Sequence, residues 1–422
     1  MRPYRASVGR RLTGRTLLLC SLVVLAAAGQ ASPPQQAPSA IPASAVPPSV
    51  AAVAADPLTR AGWERYYSLD YDKAVQDFER VMQTHPGNPV AINHLISALL
   101  FRALYRAGAM DTGLYSGNSF VTQKKIELDG PTRDRINQLT DESLGICNQR
   151  LKANPNDVDA LYARGVARGM RATYLGLVEK SWYPALRNAV GARRDHERVL
   201  ELDPNFADAK FIVGMHNYVV GSLPFFVKVA ASIVGISGSK DKGLQLLREA
   251  AAAGGETATD ARVVLVLFLR REQRFDDTLA IVRQLIQEHP HNYLFALEEA
   301  NVLNDGGHGP AAIAVYRRVL AEAKASKFVD PHLELAQWGL GEALFGQRNY
   351  ADAAAAYDAA GGIPSADKDL RQRAALRAGQ AYDVLGKRDQ ATARYKAAVV
   401  LDWDSPAGQQ ARKYLNKPYR ER

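Results

Sequence analysis

The chain has 422 residues, of which 47% are hydrophobic and 23% charged, and this balance is typical of a folded soluble protein. Residues 1–31 hold five of the 53 Lys and Arg and none of the 44 Asp and Glu, so the formal charge falls from +9 to +4 without them. The rest of the chain is only mildly basic, which argues against nucleic acid as a partner. Of its two cysteines only Cys147 lies beyond residue 31, which excludes an intramolecular disulfide there, and its helical spacing from leucines predicts a buried core residue.

Residues 1–31 predict a secretory signal peptide. Five arginines precede the uncharged stretch TLLLCSLVVLAAAG, which ends in small residues. This run is shorter than the roughly 20 residues that a membrane span needs. We expect cleavage after Ala31, with Ala28 as the other candidate, and export to the periplasm or cell envelope. The alternative is an uncleaved segment that anchors the protein in the membrane by its N-terminus.

Residues 32–56 are rich in Pro, Ala and Ser and carry almost no charge. A segment of this composition cannot bury a core, so it predicts a partly extended linker.

From residue 57 onward, small and aromatic residues recur at constant spacing. Proline followed closely by asparagine ends an amphipathic stretch four times, at positions 86, 155, 204 and 290. A second set recurs after 38 residues: Gly341, Leu344, Ala353, Tyr357 and Ala360 reappear as Gly379, Tyr382, Ala391, Tyr395 and Ala398. Small residues allow two helices to pack at close range, and the tyrosines then fill the space between them.

This repeated helix–turn–helix of roughly 34 residues resembles the tetratricopeptide repeat (TPR) superfamily over residues 58–404. The resemblance implies an all-α, right-handed superhelix of about eight helix pairs that binds partners on its concave side. We therefore expect a solenoid over 57–404, in which each repeat contacts only its neighbours, and a capping helix and tail over 405–422. Residues 226–254 are also similar to the tetratricopeptide repeat protein 39 family, which implies no particular function.

Three insertions interrupt the repeats. In the second unit a polar segment separates helix Val90–Ala107 from its partner, expected near Thr140–Ala153. In the third unit the first helix is expected to run on into Glu179–Arg187. In the fourth, the apolar stretch Val219–Ile236 separates Phe211–Tyr218 from Leu244–Ala253.

The apolar stretch Val219–Ile236 predicts a short packed helix and not a membrane span. It is barely long enough to cross, Pro224 interrupts its first turn, and Lys228 would lie near mid-depth. We expect Phe225, Val229 and Ile233 to face the core and Lys228 to reach solvent. Any membrane association would then be peripheral.

No residue pattern indicates catalysis, a metal site or a cofactor. His196-Glu197 lacks the second histidine of a zinc-protease helix. The Gly235–Lys240 segment has the wrong glycine spacing for a phosphate loop and follows no strand. We therefore expect a protein that is not an enzyme.

The sequence favours a protein–protein interaction scaffold of the cell envelope that binds a segment of an unidentified protein in its groove. An apolar small-molecule or lipid binding protein, using the inserted helices, is the alternative. By the family's pattern the groove should include Asn93, Tyr162, Tyr218, Arg270, Asn301, Trp338 and Gln380. For Tyr162, Tyr218 and Trp338, packing between helices is an equal alternative to a role in binding.

Overall fold

The computed structural model describes residues 50–110, 125–224, 228 and 237–421. The expected signal peptide, most of the linker and most of the apolar insertion, including Phe225, Val229 and Ile233, lie outside these residues. Lys228 is described: its ammonium group is half-buried and donates to the carbonyl of Gly221 at 3.2 Å, where we expected it to reach solvent.

Within the described residues all long elements are α-helices, and sixteen of them form eight consecutive pairs, as expected. They are α1 Val50–Ala55, α2 Pro57–Tyr67, α3 Tyr71–Thr84, α4 Pro89–Arg106, α5 Gly130–Ala153, α6 Val158–Thr173, α7 Trp182–Leu202, α8 Ala209–Gly221, α9 Lys240–Ala252, α10 Ala258–Arg271, α11 Phe275–Glu288, α12 Tyr293–Asp305, α13 Gly309–Lys324, α14 Leu333–Gly346, α15 Tyr350–Gly362, α16 Lys368–Val384, α17 Arg388–Leu401 and α18 Pro406–Asn416.

Three boundaries differ from the sequence prediction. The end of the predicted linker forms α1, whose Val53 is fully buried. Helix α5 begins ten residues earlier than expected, because Asp129 accepts the Thr132 amide at 2.8 Å and caps its first turn. The expected extension of the third unit's first helix to Arg187 is wrong. A π-helical turn follows α6, and Lys180 adopts a left-handed backbone with φ of 54°, which ends the helix before α7 starts.

The chain divides into two compact units. The smaller contains Gly87–Asn93 and Asn137–Ala258 together with the segment that ends at Val50; the larger contains Ala51–Pro86, His94–Ile136 and Thr259–Arg422. Helices α4 and α5 contribute residues to both.

In the smaller unit a histidine takes the place that tyrosine holds elsewhere. His196 on α7 lies against Gly165 on α6, is fully buried, and bonds through Nδ1 to the Ala192 carbonyl at 2.8 Å. Burial lowers the pKa of His196, so the ring is neutral. Burial also raises the pKa of the Cys147 thiol to about 12, which confirms Cys147 as a core residue.

In the larger unit, aromatic rings of second helices fill the gaps that glycines of first helices leave open. A Cβ atom built on Gly341 would lie 2.6 Å from the Tyr357 ring, and one on Gly379 would lie 2.5 Å from the Tyr395 ring. Both tyrosines are fully buried. The residues that recur in the sequence therefore occupy equivalent contacts in successive pairs.

The first helix pair of the larger unit also packs against helices far along the chain. The Tyr67 hydroxyl donates to Asp260 at 3.1 Å, and Asn292 donates to the Tyr67 carbonyl at 2.6 Å. The Tyr67 and His289 rings lie 4.9 Å apart. The expectation that each repeat contacts only its neighbours is therefore wrong within this unit.

A second long-range contact joins α4 to the start of α14. The Tyr105 hydroxyl donates to the Asp330 carbonyl at 2.9 Å, and Nε2 of His332 bonds to the Tyr105 carbonyl at 2.8 Å. The other ring nitrogen of His332 lies 2.6 Å from Glu334, which also accepts from Ser365. Burial opposes charge on both partners. The ion pair outweighs burial, raising the pKa of His332 and, with the Ser365 bond, lowering that of Glu334.

We predict that Gly341→Ala destabilises the larger unit by about 1–3 kcal/mol, because the new methyl group overlaps the Tyr357 ring. Gly346→Ala is the matched control, since it lies on the same helix with open space around its Cβ position and should be neutral or slightly stabilising. Urea denaturation followed by circular dichroism measures both. Equal midpoints for the two variants would contradict the packing described.

We predict that Glu334→Gln lowers the free energy of unfolding by about 1–3 kcal/mol near pH 6 and by less near pH 9. Because the pKa of His332 is raised, its contribution to stability is complete below pH 6.5, its ordinary pKa, and is lost as the pH rises through the raised value. Because the pKa of Glu334 is lowered, its contribution to stability is present above pH 4.5, its ordinary pKa.

Glu299→Gln is the control for this pH dependence. Glu299 pairs with Arg283 at 3.0 Å and with Arg318 at 2.7 Å, and arginines stay charged over the whole range, so the loss of stability should be the same at both pH values. Equal losses for Glu334→Gln at both pH values would show that His332 carries no charge in the contact.

Candidate functional site

Three of the seven expected groove residues lie in the smaller unit and are buried between helices. Asn93 donates to the Ala163 carbonyl at 2.8 Å and accepts from Ser143 at 2.8 Å. Tyr162 packs against the His196 ring, and Tyr218 is 1% exposed. The structure therefore places all three in packing positions, the role that the sequence left open for the two tyrosines.

Two further expected residues, Arg270 and Asn301, meet around Glu298 in the larger unit. Arg270 on α10 donates through Nη1 to both Glu298 oxygens at 3.1 Å. Asn301 donates to Glu298 at 3.3 Å and accepts from the Tyr316 hydroxyl at 2.7 Å. A buried tyrosine therefore fixes the orientation of the Asn301 amide.

Of the last two, Trp338 belongs to a cluster on the first helices α14 and α16, and Gln380 lies beside it; the cluster ranges from buried Phe345 to partly exposed Arg373. The guanidinium of Arg373 lies 4.9 Å from the Trp338 ring centre, and that of Arg377 lies 4.2 Å from the centre of Phe345. Gln380 is buried and accepts from Arg377 at 3.0 Å. We name five residues the arginine–aromatic surface: Trp338, Glu342, Phe345, Arg373 and Arg377.

An ion pair holds this surface in one arrangement. Arg377 donates to the two Glu342 oxygens at 2.7 and 3.1 Å, and Glu342 also accepts from the Tyr357 hydroxyl at 2.6 Å. Burial would lower the pKa of Arg377, but the charge of Glu342 raises it, so the guanidinium is charged.

Arg373 is more exposed, with 39% of its side chain accessible. Its carboxylate partner, Asp369, is 70% exposed. An exposed pair of this kind adds little stability, so Arg373 can exchange that partner for another carboxylate at low cost.

Of the five residues of this surface, the sequence prediction included Trp338 and omitted Glu342, Phe345 and the two arginines. Trp338, Glu342 and Phe345 are spaced four and three residues apart, and Arg373 and Arg377 are spaced four apart, so each set shares one helix face. That spacing was a usable signal. To predict that these two helix faces contact each other, however, one must also know the register between successive helix pairs.

The described part of the chain contains no group of three or more His, Cys, Asp and Glu side chains placed to hold a metal ion. Among the same residues, no helix has the length and apolar character needed to cross a membrane. The arginine–aromatic surface offers stacking and charge-assisted hydrogen bonds, which serve binding.

Comparison with known proteins gives a family match and several fold likenesses. The chain is similar to yeast Tom70 (12% identity over 85% of this chain and 94% of that one, TM-score 0.39). It is also similar to the APC/C hetero-tetramer Cut9–Hcn1 (13% identity over 87% of this chain and 56% of that one, TM-score 0.47). A third similar structure is a tetratricopeptide repeat protein from Parabacteroides merdae (15% identity over 76% of this chain and 97% of that one, TM-score 0.34). No curated protein sequence matches it significantly.

The family match covers part of the larger unit. Residues 297–367, which span α12 to α15, match the profile of the tetratricopeptide repeat family. The same small and aromatic residues recur outside this range, at Gly379 and Tyr395, in the same contact. Residues 297–367 therefore carry tetratricopeptide repeats.

Proposed function

We propose that the protein is a non-enzymatic protein–protein interaction scaffold that binds a segment of another protein on its arginine–aromatic surface. The repeat fold supports protein binding in general, because stacked helix pairs present an extended surface. The observation that carries the proposal is the pairing of two partly exposed arginines with half-buried Trp338 and buried Phe345 on neighbouring first helices. Tryptophan, tyrosine and arginine dominate the energetics of protein interfaces.

The chemistry of this surface indicates the kind of segment it fits. Trp338 offers an apolar contact beside the exchangeable guanidinium of Arg373. Helix α16 carries four basic residues against two acidic ones, so its local charge favours an acidic partner. We therefore expect a segment with a carboxylate next to an apolar side chain.

We predict that Trp338→Ala lowers recovery of the partner about tenfold in quantitative pull-down from envelope extract. Trp403→Ala is the matched control, since Trp403 is 60% exposed, lies 5.8 Å from the Arg412 guanidinium and is outside the surface. Both variants should keep the wild-type melting temperature within a few degrees. Equal recovery with wild type and Trp338→Ala would remove the site assignment.

Charge reversal at Arg373 provides an independent test. We predict that Arg373→Glu weakens binding at least as strongly as Trp338→Ala, because it repels the partner's carboxylate. Arg317→Glu is the control: Arg317 also pairs with an exposed aspartate, Asp352, but lies on a second helix, α13. A loss of binding that is equal for both charge reversals would indicate non-specific attraction.

We further propose that the scaffold is exported and acts at the cell envelope. The support is the sequence of residues 1–31, with its arginines and short apolar run. N-terminal sequencing of the mature protein should begin at Ser32, or at Gly29 if cleavage follows Ala28. A membrane-bound protein that retains Met1 or Arg2 would instead show an N-terminal anchor.

A further inference from the structure

A short segment after helix α18 folds back onto the larger unit. Lys417 has an extended backbone, with φ of −131° and ψ of 110°, and residues 418–421 belong to no helix or strand. The helix before them is fixed at its end, because Arg388 donates to two carbonyls in its last turn at 2.8 and 2.6 Å. Four of the five residues of this segment are exposed, and Tyr419 is half-buried. We name Lys417–Glu421 the strap.

The strap borders the arginine–aromatic surface at Phe345. The Tyr419 ring lies 6.5 Å from the ring of Phe345 and 5.4 Å from that of Tyr414. The same Phe345 ring has the Arg377 guanidinium 4.2 Å from its centre, and Phe345 is 7% exposed. The strap and the surface therefore share this phenylalanine.

A hydrogen bond to Asp383 holds the strap without making its release costly. The Tyr419 amide donates to the Asp383 carboxylate at 2.8 Å. That carboxylate is buried and also accepts from Arg388 at 2.9 Å and from the Tyr395 hydroxyl at 2.9 Å. Removal of the strap therefore leaves Asp383 with a charged partner, so no buried charge is left unpaired.

The strap also carries the chemistry that the surface favours in a partner. It presents the aromatic side chain of Tyr419 and the carboxylate of Glu421 within three residues. Glu421 accepts from the hydroxyl of Tyr350, at the start of α15, and both groups are on the exposed side of this contact. A partner segment with an apolar side chain and a carboxylate would therefore compete with the strap for similar contacts.

We propose that the strap is an autoinhibitory segment that covers the Phe345 end of the arginine–aromatic surface and leaves when a partner segment binds there. This inference rests on the proposed function of that surface. Closure of the strap lowers the apparent affinity for the partner by the fraction of molecules in which the surface is open.

Fluorine NMR tests the docking of the strap without any partner. A fluorotyrosine placed at position 419 of the full chain should resonate away from its position in the urea-unfolded chain, because the Phe345 and Tyr414 rings lie beside it. The resonance should move when Phe345→Leu removes one of these rings. A resonance at the unfolded position in the native protein would show that the strap is not docked.

Pull-down from envelope extract tests the competition. We expect Tyr419→Ala to raise recovery of the partner about threefold, because more molecules have an open surface. Arg420→Ala is the matched control, since Arg420 is an exposed neighbour on the strap, and it should recover as much as wild type. The strap peptide acetyl-Lys-Pro-Tyr-Arg-Glu-amide, added at millimolar concentration to the Tyr419→Ala protein, should reverse the gain, whereas the peptide with alanine for tyrosine should not.

A Trp338→Ala substitution in each background separates the two proposals. Equal recovery by wild type and Tyr419→Ala, in an assay where Trp338→Ala still lowers recovery, would overturn the strap and leave the proposed function standing. A strap peptide that does not reduce recovery would do the same. Recovery that is independent of Trp338 in the Tyr419→Ala background would overturn both.

Discussion

The close contact between a residue without bulk and a buried ring organises both the core and the surface of the larger unit. Gly341 lets the Tyr357 ring fill the gap between two helices. The hydroxyl of that tyrosine then emerges at the first helix and donates to Glu342. Glu342 in turn holds Arg377 of the next pair, so packing inside one repeat positions a charged group on the surface that joins two repeats.

The same coupling recurs with different polar partners along the array. Tyr316 donates to Asn301, and Tyr395 donates to Asp383 at 2.9 Å. Because the acceptor changes while the ring is kept, each repeat can vary its surface chemistry without altering the core. This separation of a fixed interior from a variable face suits a scaffold that recognises one particular segment.

The helix pairs could be predicted because their signals are local. Glycine, alanine and tyrosine at constant spacing identify the close crossings, and the same spacing gives the first and second helices of each pair. The left-handed backbone at Lys180 could not be predicted, since lysine carries no preference for that conformation. The contact of Tyr67 with Asp260 joins residues that are 193 positions apart, and no local sequence pattern indicates such a pairing.

The candidate site was predictable only in part, for a related reason. Counting along first helices found Trp338 and Asn301, which lie at or near the surface of the larger unit. The same counting selected Asn93, which is buried because its amide bonds to the Ala163 carbonyl of the next pair. Whether a side chain on a first helix faces solvent or a neighbour depends on how successive helix pairs are offset, which the spacing along one helix does not give.

Site-specific photo-crosslinking tests the central claim most directly. A benzoylphenylalanine placed at Trp338 should form adducts with the partner in envelope extract, whereas one placed at exposed Lys396 on α17 should not. Adducts from position 338 that disappear when Arg373→Glu is added would show that the arginine–aromatic surface holds the bound segment. Adducts from position 396 alone would contradict the account, because binding would then occur on the second helices.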